Sequence, residues 1–379
     1  MLIGSCRNKC KRLGKMKKKE YYYGLDQLRA ILMLAGVMLH TGSLVNDYYQ
    51  WNYVSKYYQN AAIHDFIYIT HFFRMETFFM IAGFFSAMVL VKKGQAYFMG
   101  GRVRRVLIPL ISSVLLINTF EVWFSVSHGL KSWADIKISD FIAHSWFLLT
   151  LMMISLMCLL PADRFLDWFG RRKIRTQSAM LLFYMFLPYG IRFVMTRFVV
   201  PADDAPLLYS MLGYFVERTL HYSIYFFLGY QLYRSERLKD IMRNQTIFRI
   251  IAPVAAAGLL YQYSLIGELE TQQRSIANYA GMLVAAHLTA LATSWTLFGF
   301  FFKAHCRPSE TSAFLVQSAI IIYLFHHPLV IVFGYYLDIP GLGSAGYFLP
   351  VTICVYLWSF FIYYIINSNS VTRWLFGLK

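Results

Sequence analysis

The run GLDQLRAILMLAGVMLH, from Gly24 to His40, decides how the rest of the chain is read. Continued to Val45, it supplies the roughly 20 apolar residues that a helix needs to cross about 30 Å of hydrocarbon. Yet it carries Asp26, Arg29 and His40. A charged group at bilayer depth costs roughly 2.5 to 3.5 kcal/mol, so such groups tend to line a site or a pathway. At about 100° per residue, Arg29 and His40 return to within roughly 20° of one helix face, about 16 Å apart along the axis. One stripe then holds a cation near one end and an imidazole toward the other. Arg29 also lies one turn from Asp26, so a membrane-interface arginine paired with that carboxylate is an open reading.

Working outward, nine further stretches read as membrane crossings beside Leu25–Val45: Phe66–Val91, Val106–Val126, Phe141–Leu160, Ser178–Met195, Met211–Leu232, Phe248–Ile266, Tyr279–Phe302, Ser312–Tyr335 and Tyr347–Ile366. With 58% hydrophobic and only 15% charged residues, the chain has too little polar surface for a soluble domain of its length. The expected fold is all-α: a polytopic integral membrane protein of about ten transmembrane helices. Residues 1–22 form a basic cytoplasmic tail, 23–367 the membrane domain and 368–379 a short cytoplasmic tail.

Charge sets the orientation. With the N-terminus inside, the inner segments hold 27 of the 36 lysines and arginines, which places both termini in the cytoplasm. The net charge of +17 is therefore a topology signal, and its dispersal over short loops argues against nucleic acid as a partner; membrane lipids are the surroundings expected. No small-residue cleavage site follows the first apolar run, so it reads as a retained anchor. The five cysteines suggest no disulfide framework, and Cys6 with Cys10 is too weak a pair to imply a metal; no metal site is expected.

The outer segments Asn46–Asp65, Ser127–Asp140 and Thr196–Ser210 are too short for a domain, so chemistry belongs to the bundle or its mouths. Most of the ten histidines gather toward the outer side, His305 and His287 excepted. His71 and Arg74 stand in HFFRMETFFMIAGFF, His144 enters the fourth span, and His326 and His327 follow Tyr323 in IIIYLFHHPLV. A polar cavity open to the outside is expected, with an imidazole able to act as general base near neutral pH. His326 and His327 point about 100° apart, so one faces the site and the other bonds a neighbouring span. Arg74 and Glu76 differ by about 200° and each needs a partner from another helix, although a neutral Glu76 in a dry setting is also open. Pro328 interrupts helix hydrogen bonding beside the histidines, which either opens local backbone to the cavity or only kinks the helix.

Five stretches in one order carry a resemblance: Arg29 and His40 with ten residues between, FRMETFFMIAGFF around Arg74, RVRRVLIPL from Arg102 to Leu110, HSWFLLTLMM around Trp146, and IYLFHHPL around His326. Together, from about Tyr23 to Tyr364, the chain resembles the membrane-bound acyltransferase family 3, and within it the succinyltransferases of periplasmic glucans. The resemblance implies a protein of the bacterial inner membrane that moves an acyl group from cytoplasmic acyl-coenzyme A, as succinyl- or acetyl-coenzyme A, to a hydroxyl of an extracytoplasmic glucan or other glycan. The donor is a substrate, and no tightly bound cofactor is implied. His40, Arg74 and His326 take the catalytic roles. Arg29, Arg102, Arg104 and Arg105 would meet coenzyme A phosphates, unless the last three are only positive-inside charge. His71, Glu76, His144, Trp146, Tyr323 and His327 would bind substrate.

There is no G-x-S-x-G elbow, H-E-x-x-H or Walker loop, so serine hydrolase, zinc protease and nucleotide-driven pump readings lack support. A secondary transporter is the rival class, since buried histidines and arginines also relay protons, but no inverted repeat is visible. The outer aromatics Tyr48, Tyr49, Trp51, Tyr53, Tyr57 and Tyr58 fit either sugar stacking or an interfacial belt.

Overall fold

Small residues set how closely the central helices approach. The computed structural model describes residues 22–46, 52–160, 162–195, 212–266, 276–304 and 309–378. The basic tail with Cys6 and Cys10, the aromatics Tyr48, Tyr49 and Trp51, the outer segment 196–210 and His305 lie outside the described residues. At the tightest crossing, Gly83 faces the Phe226 carbonyl and Gly229 faces the Met80 carbonyl, so closely that a methyl group at either position would strike backbone. That crossing joins α3 (Arg74–Arg102) to α10 (Arg218–Arg234). Small residues that let backbones touch are a usual basis for helix association in lipid, where apolar burial alone gives no preference.

The described residues are helical and contain no strand. In chain order the other elements are α1 (Tyr23–Gly42), α2 (Ala61–Tyr68), α4 (Ile108–Ser112), α5 (Thr119–Ser127), α6 (Ile138–Ile142), α7 (Trp146–Met157), α8 (Ala162–Gly170), α9 (Ile174–Val194), α11 (Glu236–Arg243), α12 (Gln245–Ser264), α13 (Ile276–Lys303), α14 (Glu310–Tyr336), α15 (Gly343–Ser368) and α16 (Ser370–Leu375). Helix occurs within each of the ten expected crossings among the described residues. Among the described residues seven stretches are long and apolar enough to cross a membrane, and one of them, Ala61–Ser127, contains two expected crossings. The helices over the fifth and sixth crossings, α9 and α10, are not among the seven; α10 has only 17 residues, with His221 and Gln231 among them. The protein is a multi-pass, all-α membrane protein.

Polar caps mark several helix starts. Asn60, Ser235, Asn244, Ser309 and Asn369 each accept a hydrogen bond from the first turn of α2, α11, α12, α14 and α16. The second expected crossing differs from a single helix. α2 passes into a tight turn at Ile69–Phe72, Phe73 leaves helical geometry (φ −147°, ψ −14°), and α3 starts afresh at Arg74. Gly94, at φ 79°, breaks α3 a second time. A left-handed residue there is tolerable only because glycine has no Cβ.

α1 and α14 each run through two apolar clusters. In the larger, Leu25, Leu28 and Leu32 meet Ile321 and Leu324; in the smaller, Val37 and Leu44 meet Val330 and Ile331. His40, His326 and His327 sit along this passage. Beyond it, Asp338 clasps the outer segment by accepting hydrogen bonds from Tyr53 Oη (2.7 Å), Ser55 Oγ (2.6 Å) and the Lys56 amide (2.7 Å). Burial, and then the bond to Asp338, push the Tyr53 phenol above its ordinary range, so it remains a donor. Tyr53 and Tyr58 are thus structural, with Tyr58 Oη donating to the Ile339 carbonyl at 2.6 Å and accepting from the Leu342 amide.

Candidate functional site

Pro328 starts the construction of the site. It has no N–H to give to the carbonyl four residues back, so the Leu324 oxygen is left for another donor. His144 takes that place: its Nε2–H donates to Leu324 O at 2.9 Å. The freed oxygen thus goes to His144 and not to a cavity, and α14 continues through Pro328 as one helix. Tyr323 Oη completes the clasp by donating to the His144 carbonyl. His144 rides on a short turn, Ala143–Ser145, whose Ala143 has a positive φ of 41°. Non-glycine residues rarely adopt that geometry, and such strain persists where neighbours enforce it. Here Asn118 enforces it, donating to the Phe141 and Ile142 carbonyls at 2.6 and 3.0 Å.

Four imidazoles meet at this point. The His40 ring lies 5.1 Å from His326 and 5.0 Å from His327, and His144 stacks on His327 at 4.9 Å. His144, His326 and His327 are buried, whereas His40 is only half-buried. A cavity of about 250 Å³ opens among them, lined by His40, His144, His327, Glu121, Asn52, Lys131, Asp140 and Trp146. His326 does not line it. Its Nδ1 bonds back to the Tyr323 carbonyl at 2.7 Å, which leaves Nε2 without a proton and without a partner. Of the adjacent pair, His327 is therefore the one that faces the cavity, and its Nδ1 bonds Glu121 Oε2 at 2.7 Å.

Glu121 was not among the residues expected from the sequence. It is buried on α5, and its other oxygen accepts from Asn52 at 3.2 Å. A signal was present, because a carboxylate in an otherwise apolar crossing carries the same insertion cost as the histidines and arginines.

Arg74 reaches the cluster from α3. Its guanidinium lodges against Gly36 of α1, where a methyl group would come within 2.5 Å of Nη1. Gly36 is one turn from His40 on the same helix face. Arg74 is buried, its Nε has no hydrogen-bond partner, and no carboxylate pairs with it among the described residues. Glu76 turns the other way, as the helix angle requires, and meets His221 at 3.1 Å. His221 in turn lies 4.9 Å from His287. Glu76 thus belongs to a second polar cluster outside the cavity lining, and His71 stacks near Tyr68 at 5.0 Å outside it as well. Trp146 does line the cavity, held by the Tyr222 ring at 5.4 Å and the Arg218 guanidinium at 4.9 Å.

The remaining arginines gather at the other end of α3. Arg102 donates to Ser86 Oγ and covers the Phe98 ring at 5.0 Å, facing the charges of Arg29 and Arg105. Ser86 is about 18 Å along the helix axis from Arg74 at 1.5 Å per residue. Arg104 and Arg105 are exposed, and Arg29 forms the ion pair with Asp26 at 2.9 Å.

Compared with known proteins, the sequence matches the acyltransferase domain of the acyltransferase 3 family over residues 22–364. The chain belongs to this family. Glucans biosynthesis protein C of Shigella dysenteriae serotype 1 (strain Sd197) is 27% identical over 338 residues, covering 84% of each chain. The protein of that name from Escherichia coli (strain K12) is 26% identical over the same length and share. No solved structure matches. The protein is an acyltransferase, and its site can be read for what acyl transfer requires. A base must lie within reach of an attacking hydroxyl, and a donor or cation must meet the oxyanion that forms at the acyl carbon. The half-buried His40 on α1 and the buried Arg74, which reaches from α3 to Gly36 one turn from His40, have the side chains for those two tasks.

Proposed function

We propose that this acyltransferase moves a succinyl group from cytoplasmic acyl-coenzyme A to a hydroxyl of an extracytoplasmic glucan. The observation that carries the reading is Arg74: a buried guanidinium with no carboxylate partner among the described residues, seated beside Gly36, which lies one turn from the cavity-lining His40. A buried cation left in that state needs an anion, and acyl transfer supplies one. His40 takes the proton of the acceptor hydroxyl as its oxygen attacks the thioester carbon. Arg74 meets the oxyanion of the tetrahedral intermediate or the distal carboxylate of a succinyl donor. As the C–S bond breaks, His40 returns the proton to the departing sulfur, so no net proton is consumed.

His326, with an unprotonated Nε2 beside the His40 ring, supports the base, and His327 with Glu121 orients the acceptor. His144, Tyr323 and Trp146 shape the cavity that receives the sugar. Arg29, Arg102, Arg104 and Arg105 take the coenzyme A phosphates at the cytoplasmic end, with the pantetheine arm running beside α3. This arrangement needs donor and acceptor on opposite sides of a bacterial inner membrane. The basic asymmetry supports ten crossings with both termini inside. The relatives' name, glucans biosynthesis protein C, supports a glucan acceptor.

The test combines detergent-solubilised protein, succinyl-coenzyme A and a soluble glucan, with mass spectrometry of the product. A gain of one succinyl unit is expected without any membrane gradient. A gain only from acetyl-coenzyme A, onto a different envelope polysaccharide, would replace this reading with that of an O-acetyltransferase. Solute flux in proteoliposomes with no ester from any donor would sink both.

A further inference from the structure

We propose that Glu121, His144 and His327 form a binding site for a divalent transition metal, best matched by zinc, with an open coordination position facing the cavity. One ligand atom from each lies within 4.8 Å of the others, and all three residues are buried. They arrive from three separate elements, α5, the Ala143–Ser145 turn and α14, so the grouping is a product of the fold and not of sequence proximity. Two imidazoles and a carboxylate are a donor set that zinc takes in catalytic sites, where three protein ligands leave a fourth position for water or substrate.

The second observation is the state of His144. Its Nε2–H is committed to the Leu324 carbonyl at 2.9 Å, so Nδ1 carries a lone pair. That Nδ1 is buried and has no hydrogen-bond partner. A buried acceptor left without a donor is costly, and metal-binding histidines characteristically give their other N–H to a backbone carbonyl or carboxylate, which fixes the tautomer. Pro328 makes this possible by leaving Leu324 O without its helical partner. Asn52, donating to Glu121 Oε1 at 3.2 Å, would steady the carboxylate in the same manner. The nearest imidazole beyond the three is His40, 5.0 Å from His327, which puts the open position next to the group proposed as base. An ion there would hold the acceptor oxygen and ease its loss of a proton to His40. This role rests on the acyl-transfer reading; the binding itself does not.

The experiment uses the full chain, purified with a tag free of histidine and dialysed against metal-free buffer. Zinc is titrated in competition with a chromophoric chelator, stoichiometry is read by plasma mass spectrometry, and cobalt(II) is then substituted. The expected result is one equivalent per chain, a cobalt absorption band of four-coordinate type, and affinity lowered at least about tenfold in Glu121→Gln and His144→Ala. His287→Ala, altering a buried histidine elsewhere, should bind as the parent does. Glu121→Gln keeps the shape of the side chain and an oxygen to accept from Asn52, and His327 can meet the new NH2 through its other tautomer, so with thermal unfolding measured alongside it separates lost ligation from lost folding. Sub-stoichiometric zinc, or binding that survives both substitutions, would overturn the site. Because the readout is metal content, the site can fail while acyl transfer stands, and ester formation can fail while the site stands.

Discussion

Two clusters of buried histidine and carboxylate lie on opposite faces of α3, and they differ in one respect that matters. The first joins His40, His144, His326, His327 and Glu121 around a cavity of about 250 Å³. The second joins Glu76, His221 and His287 among the rings of Tyr189, Tyr222 and Tyr225, with His221 only 4.6 Å from Tyr222. Both carry the insertion cost of polar groups at membrane depth, and both leave buried atoms unpartnered, Glu76 Oε2 and His287 Nε2 in the second. The first presents a half-buried base, with an arginine beside it, to a space that a substrate can enter. Burial of titratable groups therefore marks where polar atoms concentrate, while access and the arrangement of charge mark where chemistry occurs.

The sharpest way to break this contrast is His40→Ala, expected to lower kcat by roughly 10² to 10⁴ with unchanged protein abundance. Activity within a few-fold of the parent would remove His40 from the base role. Arg74→Lys comes next, with a loss of about 10²-fold, because an ammonium cannot offer the planar fork of donors beside Gly36. Comparing succinyl and acetyl donors sharpens it further: a carboxylate-holding Arg74 predicts a greater loss with succinyl, an oxyanion role an equal loss with both. Pro328→Ala returns an N–H to Leu324 O in competition with His144, and should cost about tenfold in kcat/KM, of the order expected for a displaced orienting group. The smallest effect on turnover belongs to the second cluster. His221→Ala should change kcat less than about threefold while costing on the order of 1 to 3 kcal/mol of stability, since it strips Glu76 of its partner. Thermal unfolding and initial rates measured on one preparation decide it; a catalytic loss equal to that of His40→Ala would erase the distinction between the clusters.

Much of the first cluster was legible in the sequence because helix geometry alone orders it. The return of His40 to the Arg29 face, the divergence of Arg74 from Glu76 and the freed backbone at Pro328 all follow from 3.6 residues per turn and a missing N–H. What escaped was contact between helices distant in the chain. Nothing local tells that Glu121 meets His327, or that Glu76 looks away from the cavity toward α10. The choice between His326 and His327 likewise depended on which neighbour each could reach. The crossings themselves were readable from apolarity, whereas the break at Phe73 was not, since no proline or glycine announces it.

Between Arg102 and Thr119 the helix widens twice, at Val103–Leu107 and Ser113–Asn118, into turns of the π type. Each such turn accommodates an additional residue and so rotates everything after it by about 100° relative to a regular helix. Glu121 follows the second of them by three positions, and its aim at His327 is consequently a matter of register. The chain length of this segment, more than the identity of its outward-facing leucines, sets the direction of the carboxylate. Removing Leu115, which is 64% exposed, would let the second wide turn relax to ordinary helix, and because the residue lost and the widening lost cancel in angle, Glu121 would keep its aim at His327. A single-codon deletion at the exposed Phe120, beyond the wide turn, has no such compensation and would turn the carboxylate by about 100°, silencing the site as thoroughly as replacing the glutamate.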